Sequence, residues 1–330
     1  MTRGIDSSLT MRMLHLRRIP IATMVQTPVL VELAQAMREK TFHDGRQVLH
    51  QGEPMAAMYF LIEGRLVLTK DGEGGTRAPF GELEPPQTVG FLPILARRTT
   101  PYHAMASGEV QTFALATDTL LDIMADHFEL TSATVRYFAE RLWFEFQDLP
   151  GAALGMAAVP VGPVPRGRIG LASRILMLQK TSGFSTASIN ALAVIARQLD
   201  EARVPAGTVL WEEGDRADRV FFLIEGTISC AASAGRVFRY GTGTGVGGIE
   251  ALAGRPRWYQ ATAATDLVGF WGHTADLLDL FEHDLRLVMD FTAMLARAQL
   301  GILEKKAALG EKPLTTARSV TKLGSIRYGA

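Results

Sequence analysis

Hydrophobic positions along this chain switch between two periods, and the switch runs twice in the same order. Over 11–40 apolar residues recur at helical spacing in two pieces, broken near Ile19-Pro20. The second piece, roughly 28–38, places Leu30, Leu33, Ala34 and Met37 on one face. Pro28 suits its first turn, where the missing N–H has no intrahelical acceptor to lose. The period then shortens. Val48-Leu49, 58–62 and 66–68 are short β-type runs punctuated by Gly45, Gly52 and Gly64. Glu63-Gly64 predicts a tight turn, 70–77 a hairpin tip, and 80–83 and 110–116 further strands. Beyond Thr117 the spacing is helical again, through Leu120, Leu121, Met124 and Phe128 to Leu142-Trp143. Glycine-punctuated strands between helices predict an antiparallel barrel or sandwich.

Residues 149–170 are rich in Pro, Gly and Ala and have no period, which predicts a semi-extended linker. The programme then repeats. Helical spacing through Ile189, Leu192, Ala193, Ile195 and Leu199 precedes the β-type runs 209–211 and 220–224. The sextet Y-F-L-I-E-G at 59–64 returns as F-F-L-I-E-G at 221–226, 162 positions on. Residues 89–106 return at 246–263, 157 positions on. This second match pairs Val89-Gly90 with Val246-Gly247, Leu95-Ala96 with Leu252-Ala253, Arg98 with Arg255 and Tyr102 with Tyr259. It also pairs the alternate alanines 104/106 with 261/263. The two offsets differ by five residues, so the second hairpin, near Ser233-Ala234-Gly235, is that much shorter, as expected for a loop. The reading is therefore a tail at 1–10, a domain at 11–148, a linker at 149–170, a second domain at 171–308 and a tail at 309–330. A final helix is expected over about 283–306. Its Val288, Phe291, Leu295, Ala298 and Ile302 form either a dimer seam or the face packed on its own barrel.

Composition narrows the function classes. At 330 residues the chain suits two domains. Its formal net charge is zero, which disfavours a nucleic-acid surface. Cys230 is the single cysteine, and the seven histidines are scattered without metal-ligand spacing. A reducing, cytoplasmic setting is the simplest reading. No apolar run reaches membrane-spanning length. No nucleophile–base pair or phosphate-binding loop appears, so no enzyme and no resident cofactor is expected. The basic residues Lys305, Lys306, Lys312, Arg318, Lys322 and Arg327 towards the end are either solvated or dock an acidic partner.

Several local motifs carry a resemblance. In the second half, Val204-Pro205-Ala206-Gly207, Glu213-Gly214-Asp215 and F-L-I-E-G at 222–226 precede Gly254-Arg255-Pro256-Arg257 and Ala263-Ala264-Thr265-Asp266. These spacings, and the element order of both halves, resemble the cyclic-nucleotide-binding domain of cAMP-dependent kinase regulatory subunits and the catabolite-activator family. The resemblance implies a mainly β fold with flanking helices: two tandem double-stranded β-helix, or jelly-roll, domains. It also implies a phosphate-binding cassette, F-G-E-[LI]-A-L…R-[ST]-A. In that cassette the amides of a Gly-started helical turn and an Arg meet the cyclic phosphate, and the Glu takes the ribose hydroxyl.

Both halves depart from that cassette. In the second, F-G-E is replaced by Val246-Gly247-Gly248, so the ribose carboxylate is lost. Arg257 falls on the phosphate Arg, but the small pair after it is Trp258-Tyr259. Glu250 lies two residues late and substitutes for the lost carboxylate only if the turn is remodelled. The resemblance therefore places a ligand site at Gly247, Gly248, Ile249, Arg257, Trp258 and Tyr259. In the first half the corresponding residues, Gly90, Phe91, Thr100 and Tyr102, keep no charge, and the site is degenerate. A literal F-G-E-L at 80–83 sits about nine residues early, where the repeat places a strand. Tyr102 and Tyr259 either contact a non-standard ligand or fill the vacated pocket with protein; filling is favoured, because a ring buries a large apolar area. Two functions stay open. One is a regulatory sensor of a cyclic mononucleotide such as cAMP or cGMP through the second domain. The other is a ligand-free adaptor for an unidentified protein partner, with homo-oligomer formation through the last helix also expected. A transcription regulator is disfavoured because no helix-turn-helix follows the second domain.

Overall fold

The apolar runs on either side of Glu63-Gly64 belong to one long strand, not to a hairpin. The computed structural model describes residues 9–72, 76–185 and 187–308. In the first repeat the strands are β1 (Arg38–Phe42), β2 (Gln47–Leu49), β3 (Ala57–Asp71), β4 (Arg77–Leu83), β5 (Thr88–Val89) and β6 (His103–Ala116). They form one antiparallel sheet in the order β1-β6-β3-β4, with β2 also on β6 and β5 on β3. The register of β3 against β6 shifts between Leu61 and Glu63 and again between Glu63 and Arg65. The expected turn is thus a bulge, which bends the strand without ending it. Gly64 makes this possible: its φ is +86°, and the Val110 Cα passes 2.9 Å from where a Cβ would stand. Phe80 to Leu83, the early F-G-E-L, lie on β4, where the repeat register required a strand.

The second repeat contains β7 (Asp200–Val204), β8 (Val209–Trp211), β9 (Arg219–Glu225), β10 (Ile228–Ala232), β11 (Arg236–Tyr240), β12 (Thr244–Val246), β13 (Gln260–Ala263) and β14 (Leu267–His273). They form two antiparallel four-stranded sheets, β11-β10-β13-β8 and β12-β9-β14-β7. Here the same Glu-Gly pair does break the strand, between β9 and β10. Gly226 has φ +101°, and a Cβ there would run into the Asp266 carbonyl oxygen.

The helices are α1 (Leu9–Leu16), α2 (Thr27–Ala36), α3 (Phe91–Ala96), α4 (Thr117–Asp126), α5 (Phe128–Asp148), α6 (Leu171–Gln179), α7 (Ile189–Gln198), α8 (Gly248–Ala253), α9 (Thr274–His283) and α10 (Leu285–Ala308). The expected helical face Leu30, Leu33, Ala34 and Met37 is buried, although α2 ends at Ala36 and the chain is extended from Met37.

The compact units do not follow the expected boundaries. One comprises Met1–Thr134 with Ala296–Ala330, the other Val135–Leu295. The division falls inside α5 and α10, not at 148/149 and 170/171. The second part of α10 groups with the first roll and the second part of α5 with the second. Residues 149–170 also differ from a free spacer. Leu149, Val161 and Ile169 are buried, Met156 bridges Tyr240, and the Val159 N–H donates to the Thr242 carbonyl at 2.8 Å. A few apolar anchors suffice to hold an aperiodic segment along a strand edge. In α10 the candidate seam residues Val288, Phe291, Leu295 and Ile302 are buried within the chain and Ala298 is half-buried, so this face packs mainly on the protein itself. The expected tails at 1–10 and 309–330 lie outside the described residues, apart from Leu9 and Thr10, which begin α1.

All four tryptophans, Trp143, Trp211, Trp258 and Trp271, belong to the second unit, so tryptophan fluorescence reports on that unit alone. Gly226→Ala is expected to lower its unfolding free energy by about 1–3 kcal/mol, since it strains the left-handed backbone and meets a carbonyl. Urea denaturation followed by fluorescence checks this; an unchanged midpoint contradicts it.

Candidate functional site

Both repeats build the same small frame around a short helix. In the second, Gly247 (φ +80°) precedes α8 and Gly254 (φ +62°) ends it. In the first, Gly90 (φ +96°) precedes α3 and Arg97 (φ 53°) ends it, a left-handed position that a side chain seldom occupies. The residue after each frame is fixed by one ladder. The Arg257 N–H donates to the Asp215 carbonyl at 2.8 Å, and the Arg257 carbonyl accepts from Gly214 N–H at 2.8 Å. Thr100 does the same with the Glu53 carbonyl at 3.0 Å and Gly52 N–H at 2.8 Å. The sequence offsets 157 and 162 thus meet in space, pairing Thr100 with Arg257 and Gly52 with Gly214.

The Arg257 side chain points inward and is only 4% exposed. Its Nη1 donates to the Gly247 carbonyl at 2.7 Å and its Nη2 to the Arg219 carbonyl at 2.6 Å. Its guanidinium lies 4.2 Å from the Trp211 ring centroid. The nearest acid is Glu250, 2% exposed, with Oε2 at 3.8 Å from Nη1. Gly247 has a second reason to be glycine: a Cβ there would collide with Nη1. Burial pulls the Arg257 pKa down and pushes the Glu250 pKa up, each opposed by the other's charge. Desolvation exceeds attraction for both partners, so the pair fixes geometry more than it stabilises.

Trp258 and Tyr259 lie inside the roll. Trp258 is 4% exposed and stacks on Phe238 at 5.3 Å and 17°. Tyr259 is fully buried between Trp211 at 5.8 Å, Phe238 at 5.1 Å and Trp258 at 4.9 Å. Burial raises the pKa of both Tyr259 and Tyr240 well above the usual phenol value. Gly248 and Ile249 begin α8 at the rim and are partly exposed. The structure thus brings Gly247, Arg257, Trp258 and Tyr259 together as packed interior.

Arg255, matched between the repeats but given no role by the motif, faces α5. Its Nε donates to Glu140 Oε1 at 3.1 Å and its Nη2 contacts the same oxygen, while the Trp143 indole donates to the Pro256 carbonyl at 3.0 Å. The Gly-Arg-Pro-Arg run therefore turns one arginine out to a buried carboxylate and the other in to backbone carbonyls. Sequence reasoning missed Trp211, Phe238, Tyr240, Glu140 and Trp143. Their aromatic and apolar neighbourhoods were visible, but no local spacing links them to Arg257.

In the first repeat Thr100 Oγ donates to the Glu53 carbonyl at 3.0 Å and sits 3.0 Å from Met55 Sδ. Tyr102 is 4% exposed and stacks on Phe80 at 5.3 Å. A Cβ on Gly90 would meet the Met55 methyl. Phe91 is half-buried at the start of α3. The end of that helix is held by Arg297, whose Nη1 donates to the Ala96 carbonyl at 3.3 Å. Among the described residues no cluster of His, Cys, Asp and Glu could hold a metal, and no helix is long and apolar enough to cross a membrane.

A family model described as "Cyclic nucleotide-binding domain" matches residues 39–127 and 201–284, together more than half of the chain. A cyclic nucleotide-gated potassium channel of Mesorhizobium japonicum is 35% identical over 85 residues, 26% of this chain and 23% of the channel. A cAMP-dependent protein kinase regulatory subunit of Dictyostelium discoideum is 28% identical over 99 residues, 28% of this chain and 30% of the subunit. The matches thus span under a third of these relatives' lengths. Among solved structures, the regulatory domain of Toxoplasma gondii PKA with cAMP aligns over 93% of this chain and 99% of its own, at 15% identity and a TM-score of 0.36.

Removing Arg257 leaves Glu250 buried without its counter-charge. Arg257→Leu is expected to lose about 3–5 kcal/mol near neutral pH. Because the folded carboxyl holds its proton more tightly than the unfolded one, stability falls as pH rises above the ordinary value of 4.5. Deleting the arginine steepens that fall, so the loss is smaller in acid, and adding Glu250→Gln restores part of it. Fluorescence-monitored denaturation at pH 4.5 and pH 7 measures this; an equal loss at both contradicts it.

Proposed function

The chain belongs to the cyclic nucleotide-binding domain family, and we propose that its two domains serve a regulatory protein as ligand-independent, non-catalytic modules that engage a protein partner. One observation carries the proposal. The Arg257 guanidinium, which the family motif assigns to the cyclic phosphate, already uses both Nη atoms on the Gly247 and Arg219 carbonyls, with Glu250 as an internal anion, and only its buried Nε lacks a partner. The protein itself supplies the groups that a ligand would otherwise bring. The rings of Trp258 and Tyr259 take up the adjoining interior. In the first domain Thr100 and Tyr102 are likewise turned to protein.

Retention of Arg257 behind the Gly247-Gly248 turn favours the second reading, a cAMP or cGMP sensor in the second domain. Magnitudes weigh against it. Exposing a buried aromatic side chain costs about 1.5–3 kcal/mol. The missing ribose carboxylate removes a further ~1.5–3 kcal/mol. Each 1.4 kcal/mol is about tenfold in affinity, so together these amount to roughly a hundredfold or more. The regulatory subunit and the channel among the relatives suggest a regulatory setting; no reaction is assigned to this chain.

Calorimetric titration of the full chain with cAMP and with cGMP is expected to give no saturating heat up to millimolar ligand. A saturating isotherm that Arg257→Ala abolishes would establish the sensor and overturn the proposal.

A further inference from the structure

A second, unrelated feature lies on the helical side of the Val135–Leu295 unit. An open cleft of about 540 Å³ is lined by Arg168, Arg174, Arg197, Leu199, Asp200, Glu201 and Arg203. Four guanidinium groups and two carboxylates share it, in a chain whose net charge is zero.

Two of these charges are internal to the fold. Arg174 is buried, and its Nε donates to the Ile169 carbonyl at 2.9 Å, its Nη1 to the Leu199 carbonyl at 2.7 Å and its Nη2 to Glu201 at 3.3 Å. It caps the end of α7 and packs over Phe270 at 5.2 Å. Glu201 is held by Arg174 and by the Ile169 N–H at 2.8 Å, with Arg203 at 3.5 Å. This pair forms a rigid floor and contributes little net charge.

The remaining groups face solvent. Arg203 uses one nitrogen, Nη2, on the Pro165 and Gly167 carbonyls at 2.7 and 2.8 Å, which also anchors the Arg166-Gly167-Arg168 segment. Arg197 is exposed and makes one bond of 3.3 Å, to the Ala193 carbonyl of its own helix. Arg168 is exposed and has no hydrogen bond or ion pair among the described residues. Against these three stand Asp200 and, for Arg203 only, the Glu201 Oε1 at 3.5 Å. Three forks with unused donors, converging on a pre-formed cleft beside one free carboxylate, make a local excess of positive charge. Guanidinium donors match the paired oxygens of a phosphoryl group.

We propose that this cleft binds a phosphoryl dianion, carried either by a small metabolite or by a phosphorylated side chain, with Arg168, Arg197 and Arg203 as its donors. The site is independent of the cassette and of whether the rolls bind nucleotide. Inorganic pyrophosphate titrated into the full chain by calorimetry at low salt is expected to bind saturably. Because each lost charged hydrogen bond is worth about tenfold, Arg168→Gln with Arg197→Gln should weaken binding by that factor or more. Both side chains are exposed, so an unchanged fluorescence unfolding midpoint shows that the fold is intact. Asp200→Asn should tighten binding several-fold. A phosphoserine peptide and its unphosphorylated twin distinguish the sources: preference for the phosphopeptide over pyrophosphate assigns a modified partner, the reverse a free metabolite. No saturable binding of any phosphoryl probe, or equal affinity in the double variant, overturns the proposal.

Discussion

The second domain is organised around a buried guanidinium. Arg257 stands where three segments converge: Trp211 on β8, Arg219 on β9, and Gly247 with Glu250 at the start of α8. A buried cation must be compensated locally, since its desolvation exceeds what a single counter-charge returns. Two carbonyls, an aromatic face and a carboxylate provide that compensation. The same requirement fixes Gly247 as glycine and holds α8 against the roll. It also sets the start of β13, whose alternation sends Tyr259 inward beside Ala261 and Ala263, while Trp258 is buried by its stack on Phe238.

The first domain shows what becomes of that frame without the charge. Thr100 keeps the backbone ladder of Arg257, and its short side chain bonds a carbonyl where the guanidinium would reach across. Met55 and Tyr102 take the volume. The two repeats therefore share a backbone and differ in what fills it, and in both the filling comes from the protein. A scaffold whose ligand groups are replaced from within no longer needs a ligand to be stable, which is the physical content of reading these domains as interaction modules.

Much of the fold was legible locally. The tandem repeat, the strand-rich middles, the helical ends and the early F-G-E-L on a strand all follow from periodicity and from register between the copies. The Glu63-Gly64 turn was not, because the same dipeptide is a bulge in β3 and a strand break between β9 and β10; pairing with β6 or with β10's neighbours decides which. The 149–170 segment read as a spacer because its anchors, Leu149, Val161 and Ile169, are too sparse to make a period.

The sequence by itself determined that there are two copies of one frame, where each short helix begins and which charged residues the cassette lacks. These properties reside in neighbouring residues and in the spacing of glycines. Only the tertiary structure decided the fate of Arg257, that its partners are the carbonyls of Gly247 and Arg219 and its anion Glu250. It alone also placed Arg255 on Glu140 and assigned the last helices of each repeat across the two compact units. Backbone carbonyls leave no mark in a sequence, and contacts between residues more than a hundred positions apart have no period to betray them.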